Sequence, residues 1–118
     1  MASEMKQIST HILDLALGKP APDVPVRLER QEATGGWHLL ASTHTDRHGR
    51  CGQLLPETED LSEGLYRLAF DTASHYDSQK IEMLFPVVEI TFRVRKGESQ
   101  FHIPLLLSPN GYTTYRGS

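Results

Sequence analysis

The sequence predicts an all-β fold, an antiparallel β-sandwich of about eight strands with one short helix, and three observations predict it. Short runs in which apolar and polar residues alternate recur along most of the chain. Clusters of Gly, Pro, Asn and Asp separate those runs, as turns between strands require. One stretch, Asp71 to Lys80, lacks the alternation and opens on residues that cap helices. At 118 residues the chain is expected to form one domain over residues 1–118 and to bury a core without disulfide staples.

The elements follow in order. After a polar opening, Ile8, Thr10 and Ile12 take one face of a strand, and Ser9, His11 and Leu13 the other. Gly18, Pro20 and Pro22 make Asp14 to Asp23 a loop. Val24, Val26 and Leu28 alternate with Pro25, Arg27 and Glu29, which is a half-buried strand. Thr34-Gly35-Gly36 turns the chain into a partner strand, with Trp37, Leu39, Ala41 and Thr43 on one face and His38, Leu40, Ser42 and His44 on the other. Thr45 to Gly52 reads as a polar loop carrying Arg50, and a short strand is expected at Gln53 to Leu55. Past the acidic segment Pro56 to Glu63, Tyr66, Leu68 and Phe70 mark the next strand, and Asp71 or Thr72 caps the short helix. Val88, Ile90, Phe92 and Val94 alternate with charged and polar residues, and Lys96-Gly97-Glu98 leads to a closing hairpin. In that hairpin Ser108-Pro109-Asn110-Gly111 is the turn, because Pro presets one dihedral and Asn-Gly tolerates positive φ. Leu105, Leu106 and Leu107 are consecutive, so this strand is expected to bury both its faces.

Composition excludes several classes. A net charge of −3 gives no electrostatic case for nucleic acid. The lone Cys51 rules out an internal disulfide and suits a reducing compartment. No apolar run reaches membrane-spanning length, and residues 1–10 hold no signal-peptide core, so a soluble, cytoplasmic protein is expected. The six histidines, His11, His38, His44, His48, His75 and His102, show no His-x-His or Cys-x-x-Cys spacing, so no metal site is expected. There is no Gly-x-Ser-x-Gly elbow and no phosphate-cradling glycine loop.

His11 and His102 stand out because each is mid-strand on the face opposite the clearest apolar set. Arg50, taken singly, reads as a solvated loop cation, and Arg116 likewise as an exposed strand charge. Pattern alone therefore stops at a β-sandwich with imidazoles of open purpose.

Three motifs carry the reading further. Ser9-Thr10-His11-Ile12-Leu13-Asp14 with Gly18-Lys19-Pro20-Ala21, Thr45-Asp46-Arg47-His48-Gly49-Arg50, and Phe101 to Pro109 ending in Tyr115-Arg116-Gly117-Ser118 resemble the signature segments of the transthyretin-related proteins. The terminal tetrapeptide resembles the branch of that family that hydrolyses 5-hydroxyisourate, rather than the hormone-carrying branch. Leu15 and His48 depart from the family's usual Thr and acidic residue. The resemblance implies a transthyretin-like sandwich, a homotetramer as a dimer of dimers, and active sites in a channel where dimers meet. It implies hydrolysis of 5-hydroxyisourate, a product of urate oxidation, to 2-oxo-4-hydroxy-4-carboxy-5-ureidoimidazoline, without a cofactor. In that reading His11 and His102 activate water and move protons, and Arg50 holds the substrate and stabilises an oxyanion. Ser118 orients a histidine or the water through its hydroxyl or a terminal carboxylate, and Tyr115 contacts substrate by its backbone or its ring. The alternative is a small-aromatic-ligand carrier without turnover.

Overall fold

In a computed structural model that describes residues 7–118, two β-sheets pack face to face with one short helix at their side. The polar opening, residues 1–6, lies outside the described residues. The first sheet is built on β1 (Gln7–Asp14), flanked by β8 (Gln100–Ser108) and then β9 (Gly111–Thr114). Two two-residue strands, β2 (Lys19–Pro20) and β5 (Arg50–Cys51), also pair with β1. The second sheet runs β4 (Trp37–His44), β3 (Pro25–Gln31), β6 (Gly64–Phe70), β7 (Val88–Val94). The helix α1 (Thr72–Asp77) is capped by Asp71, whose carboxylate accepts the Ser74 N–H at 3.1 Å.

Alternation places the core between the sheets. Ile8, Ile12, Leu105 and Leu107 of the first sheet meet Val26, Leu28, Leu68 and Phe70 of the second, all essentially buried. Leu106, between two core leucines, faces the other way and stays half-buried. Thr10 takes an inward position in β1 and donates its hydroxyl to the Ile103 carbonyl at 2.7 Å, so the buried oxygen keeps a partner.

Four expectations need correction. The ladders are antiparallel except one: β1 and β8 run parallel, Gln7 opposite Gln100 through Asp14 opposite Leu107. Alternation reports which face is buried and carries no strand direction, so this pair was not legible. Gln53 to Leu55 is no strand, although the Leu54 N–H does bond the Ile8 carbonyl at 2.9 Å and both leucines are buried. The strand lies earlier, at Arg50–Cys51, and Lys19–Pro20 also pairs where a plain loop was expected. In β4 the register shifts, with Leu28 opposite Ala41 but Glu29 opposite Leu39. The extra residue, Leu40, breaks the period, so Leu40 and Ala41 both pack on the core while Leu39 is turned out.

Candidate active site on the outer face of the first sheet

Three adjacent strands put the singled-out residues on one face, on neighbouring rungs of the sheet. Arg50 of β5 is opposite His11 of β1, and Ser9 of β1 is opposite His102 of β8. Directly opposed residues share a face, and this face is the outer one, since Ile8, Thr10 and Ile12 occupy the inner. Residues far apart in sequence thus converge because β1 is paired on both edges.

The segment before β5 is shaped to deliver Arg50. Asp46 Oδ1 accepts the N–H groups of His48 at 2.8 Å and Arg50 at 3.0 Å, and the Asp46 N–H donates to the Arg50 carbonyl at 2.9 Å. These bonds, that from the Arg50 N–H first, pull the Asp46 carboxyl below its ordinary range, so it stays ionised at neutral pH. Gly49 has φ of +76°, and a side-chain carbon there would sit 2.5 Å from the Ile12 carbonyl oxygen. Only glycine allows the loop to lie this close to β1, where the Gly49 carbonyl accepts the Ile12 N–H at 2.8 Å.

Each histidine is anchored by one ring nitrogen. His11 Nε2 lies 2.9 Å from the His48 carbonyl oxygen, which can only accept, so Nε2 carries a proton and neutral His11 keeps its lone pair on Nδ1. His48 thus holds His11 through its backbone carbonyl, which does not depend on the side chain at that position. His102 Nδ1 lies 2.8 Å from the Ser9 hydroxyl. Burial first, then the Arg50 cation, hold both imidazoles below the usual histidine pKa, so both are mainly neutral at pH 7. No carboxylate pairs with the Arg50 side chain among the described residues.

A hollow of about 310 Å³ opens beside them, lined by Ser9, Arg50, His102, Gly117 and Ser118 with Gln7, Gln100 and Phe101. His11 stands next to it, two residues along β1 from Ser9. The tail closes the far side: the Gly117 N–H donates to the His102 carbonyl at 2.6 Å, and a side-chain carbon on Gly117 would lie 2.6 Å from His102 Cδ2. Arg116 anchors this tail by donating to Glu98 Oε2 at 3.0 Å and to the Gln100 carbonyl at 3.1 Å, with its guanidinium 4.4 Å over the Phe101 ring. That neutralises Glu98 and keeps Arg116 out of the hollow.

Tyr115 is the exception among the expected residues. It lines a different hollow of about 350 Å³ between the edges of β7 and β9, with Phe92, Arg93 and Arg95. The hairpin register runs from Ser108 opposite Gly111 to Leu105 opposite Thr114 and resumes only at His102 opposite Gly117. Pro104 faces the gap without an N–H to give, so Tyr115 steps out of the ladder and away from His102. A still larger hollow, of about 570 Å³ beside α1, is lined by Lys19, Asp23, Arg47 and His75 and holds none of the expected residues.

Sequence reasoning missed Ser9, Asp46 and Gly117. Ser9 shared the outward face with His11, which was a usable signal; the nesting of Gly117 on the imidazole had none. It also left His75 unassigned. His75 is buried and bonds Asp14 Oδ2 at 2.8 Å, while Asp14 Oδ1 accepts the N–H groups of Ala16 and Leu17. Among the described residues, no three of His, Cys, Asp and Glu converge as a metal site would need, and no helix is long and apolar enough to cross a membrane.

The chain as a whole is similar to known proteins. A profile described as HIUase/Transthyretin family matches residues 8–117. A mouse protein named 5-hydroxyisourate hydrolase is 43% identical over 119 aligned positions, covering 100% of each chain. A Salmonella typhi protein of the same name is 43% identical, covering 100% of this chain and 85% of its own. Among solved structures, Klebsiella pneumoniae 5-hydroxyisourate hydrolase superposes with a TM-score of 0.83 at 36% identity, covering 97% of this chain and 100% of that one. Transthyretin from Sparus aurata superposes with a TM-score of 0.86 at 32% identity, covering 93% and 95%.

Proposed function

The chain belongs to the HIUase/Transthyretin family, and on that premise we propose that it is a hydrolase opening the ring of 5-hydroxyisourate in urate degradation. The observation that carries this reading is a pair of neutral imidazoles and a guanidinium that is in no ion pair among the described residues, set on one face beside a hollow. A carrier of an apolar ligand has no use for that arrangement, whereas hydrolysis of a cyclic amide needs each part.

Water adds to an acyl carbon, a C–O bond forms and the ring C–N bond breaks. One proton leaves the water and finishes on the departing nitrogen, so the net change is addition of one water. His11, with its lone pair on Nδ1, and His102, through Nε2, are the groups that take and return this proton. Arg50 binds the substrate's oxygens through its fork of donors and carries the negative charge that develops on the attacked carbonyl. The Ser118 hydroxyl, on the wall of the hollow next to His102, orients the water. The Tyr115 ring has no part in this scheme, because its hollow lies elsewhere. No cofactor is required.

The chain acts as one domain, and we place it in the cytoplasm, in keeping with a single buried cysteine that burial pushes up to about 11. It assembles as a homotetramer, a dimer of dimers. The half-buried Leu106 on the outer face and the exposed Leu15 and Leu17 supply apolar surface for such contacts. The test is direct: add the purified protein to a urate oxidase reaction and follow the absorbance of the intermediate. Decay well above the spontaneous rate is expected; decay at the spontaneous rate over a range of protein concentrations would sink the proposal.

A further inference from the structure

We infer that Ser9 is a positioning residue for the reaction, fixing the ring of His102 so that Nε2 is its working nitrogen; this rests on the role given to His102 above. Ser9 and His102 are register partners on adjacent parallel strands, and their side chains share the outer face. The Ser9 hydroxyl meets His102 Nδ1 at 2.8 Å. On the opposite side Gly117 lies against the ring, so closely that a side-chain carbon would collide with Cδ2 and crowd Cγ at 3.3 Å. The imidazole is thus clamped between a hydroxyl and a stretch of backbone, with Nδ1 occupied.

The partner's chemistry matters as much as its position. A carboxylate at this place would favour the imidazolium and raise the histidine pKa. A hydroxyl orients the ring without adding charge, so burial and Arg50 remain free to keep His102 neutral. The same hydroxyl can accept from Nδ1–H both before and after Nε2 takes a proton, so the bond persists through the proton cycle. His11 obeys the same rule by a different means: the His48 carbonyl holds Nε2–H in both charge states and leaves Nδ1 to work. The two histidines therefore present opposite ring nitrogens, each fixed by a neutral oxygen.

The experiment compares Ser9→Ala, Ser9→Thr and His102→Ala in the full chain. Turnover of 5-hydroxyisourate is measured across pH, and long-range nitrogen–proton NMR reports the His102 tautomer. Ser9→Ala is expected to lower kcat about tenfold, the scale seen when a histidine loses its orienting partner, with KM nearly unchanged. Its His102 nitrogen shifts should move toward a tautomer mixture, and Ser9→Thr, which keeps the hydroxyl, should restore both readouts. Wild-type kcat and unchanged His102 nitrogen shifts in Ser9→Ala, alongside an inactive His102→Ala, would overturn this inference alone. Full turnover in His102→Ala would instead overturn the role of His102, and this inference with it.

Discussion

The two sheets carry their outward charges in opposite ways. On the second sheet Arg67 donates to Glu29 at 2.8 Å, lies 3.7 Å from Glu89 and stacks 4.3 Å over the Trp37 ring, while Arg30 meets Glu59 at 3.2 Å. On the first sheet Arg50, His11 and His102 lie together, and among the described residues none of the three is in an ion pair; the nearby Asp46 carboxylate is spent on the His48 and Arg50 N–H groups. Pairing of this kind serves stability, as around Arg67 and Arg30 on the second sheet. A cation left without an ion pair beside two imidazoles, whose pKa values it lowers, adds little to stability, so the first sheet is read as a surface kept receptive to electron-rich oxygen.

The largest effect should therefore come from Arg50. Arg50→Ala is expected to lower kcat/KM by about 10² to 10³, the cost of losing an oxyanion donor, with circular dichroism unchanged. His11→Ala and His102→Ala should each cost about 10² in kcat. Turnover like the wild type in any one of these folded variants removes that residue from the mechanism. Arg50→Gln sharpens the electrostatic side. The Arg50 cation lowers both histidine pKa values, so its removal should move both NMR titrations to higher pH. In the wild type, activity carried by neutral imidazoles should fall as pH drops below the ordinary histidine value of about 6.5, and in Arg50→Gln that fall should begin at higher pH. Titrations that stay in place would show that Arg50 does not set the protonation of these imidazoles.

Asp14 makes the next comparison, between a polar group buried for structure and polar groups exposed for chemistry. Its side chain is fully buried and satisfies His75, Ala16 and Leu17 at once, tying β1 to α1 and to the turn before β2. Asp14→Ala leaves those donors unpaired and is expected to cost about 3 kcal/mol of stability. Urea unfolding measures it, and a loss under about 1 kcal/mol would show that the network contributes little.

How much of this was legible follows from what each signal encodes. Alternation in Gln7 to Leu13 and in Val88 to Val94 gave the strands and their faces, because one face meets the core and the other does not. It therefore put His11 and His102 outward correctly, and the motifs singled out Arg50. It could not show that β1 and β8 lie side by side in parallel, which is what sets Ser9 against His102. It could not find β5 either, since two residues are too few for a period, and Arg50 looked like a loop cation until its pairing with His11 was seen. The position of Tyr115 was hidden for the same reason. Residue parity continues through Tyr115 to Ser118, but the hydrogen-bond ladder stops where Pro104 has no N–H.

Gly117 tests how tightly the first sheet must be built to work. Gly117→Ala puts a methyl group against the His102 ring, and either the tail or the ring must move. A loss of about tenfold in kcat is expected, smaller than for the histidine itself because the imidazole remains. Unchanged kcat would mean the ring has room to spare, which would weaken the case for a clamped His102.

The smallest effect belongs to the paired face. Arg67 bonds Glu29 and covers Trp37. Its side chain is about one-fifth exposed, at 22%, so solvent and salt screen the pair only in part. Arg67→Ala is expected to cost about 1 kcal/mol or less, by analogy with exposed ion pairs and cation–π contacts. Turnover should not change, because this cluster lies on the other sheet from Arg50 and the histidines. Chemical denaturation and the 5-hydroxyisourate assay on the same preparation measure both quantities. A variant that unfolds at nearly the wild-type midpoint yet loses turnover tenfold would break the division of labour between the sheets, since the paired face would then be acting on the chemistry through the core.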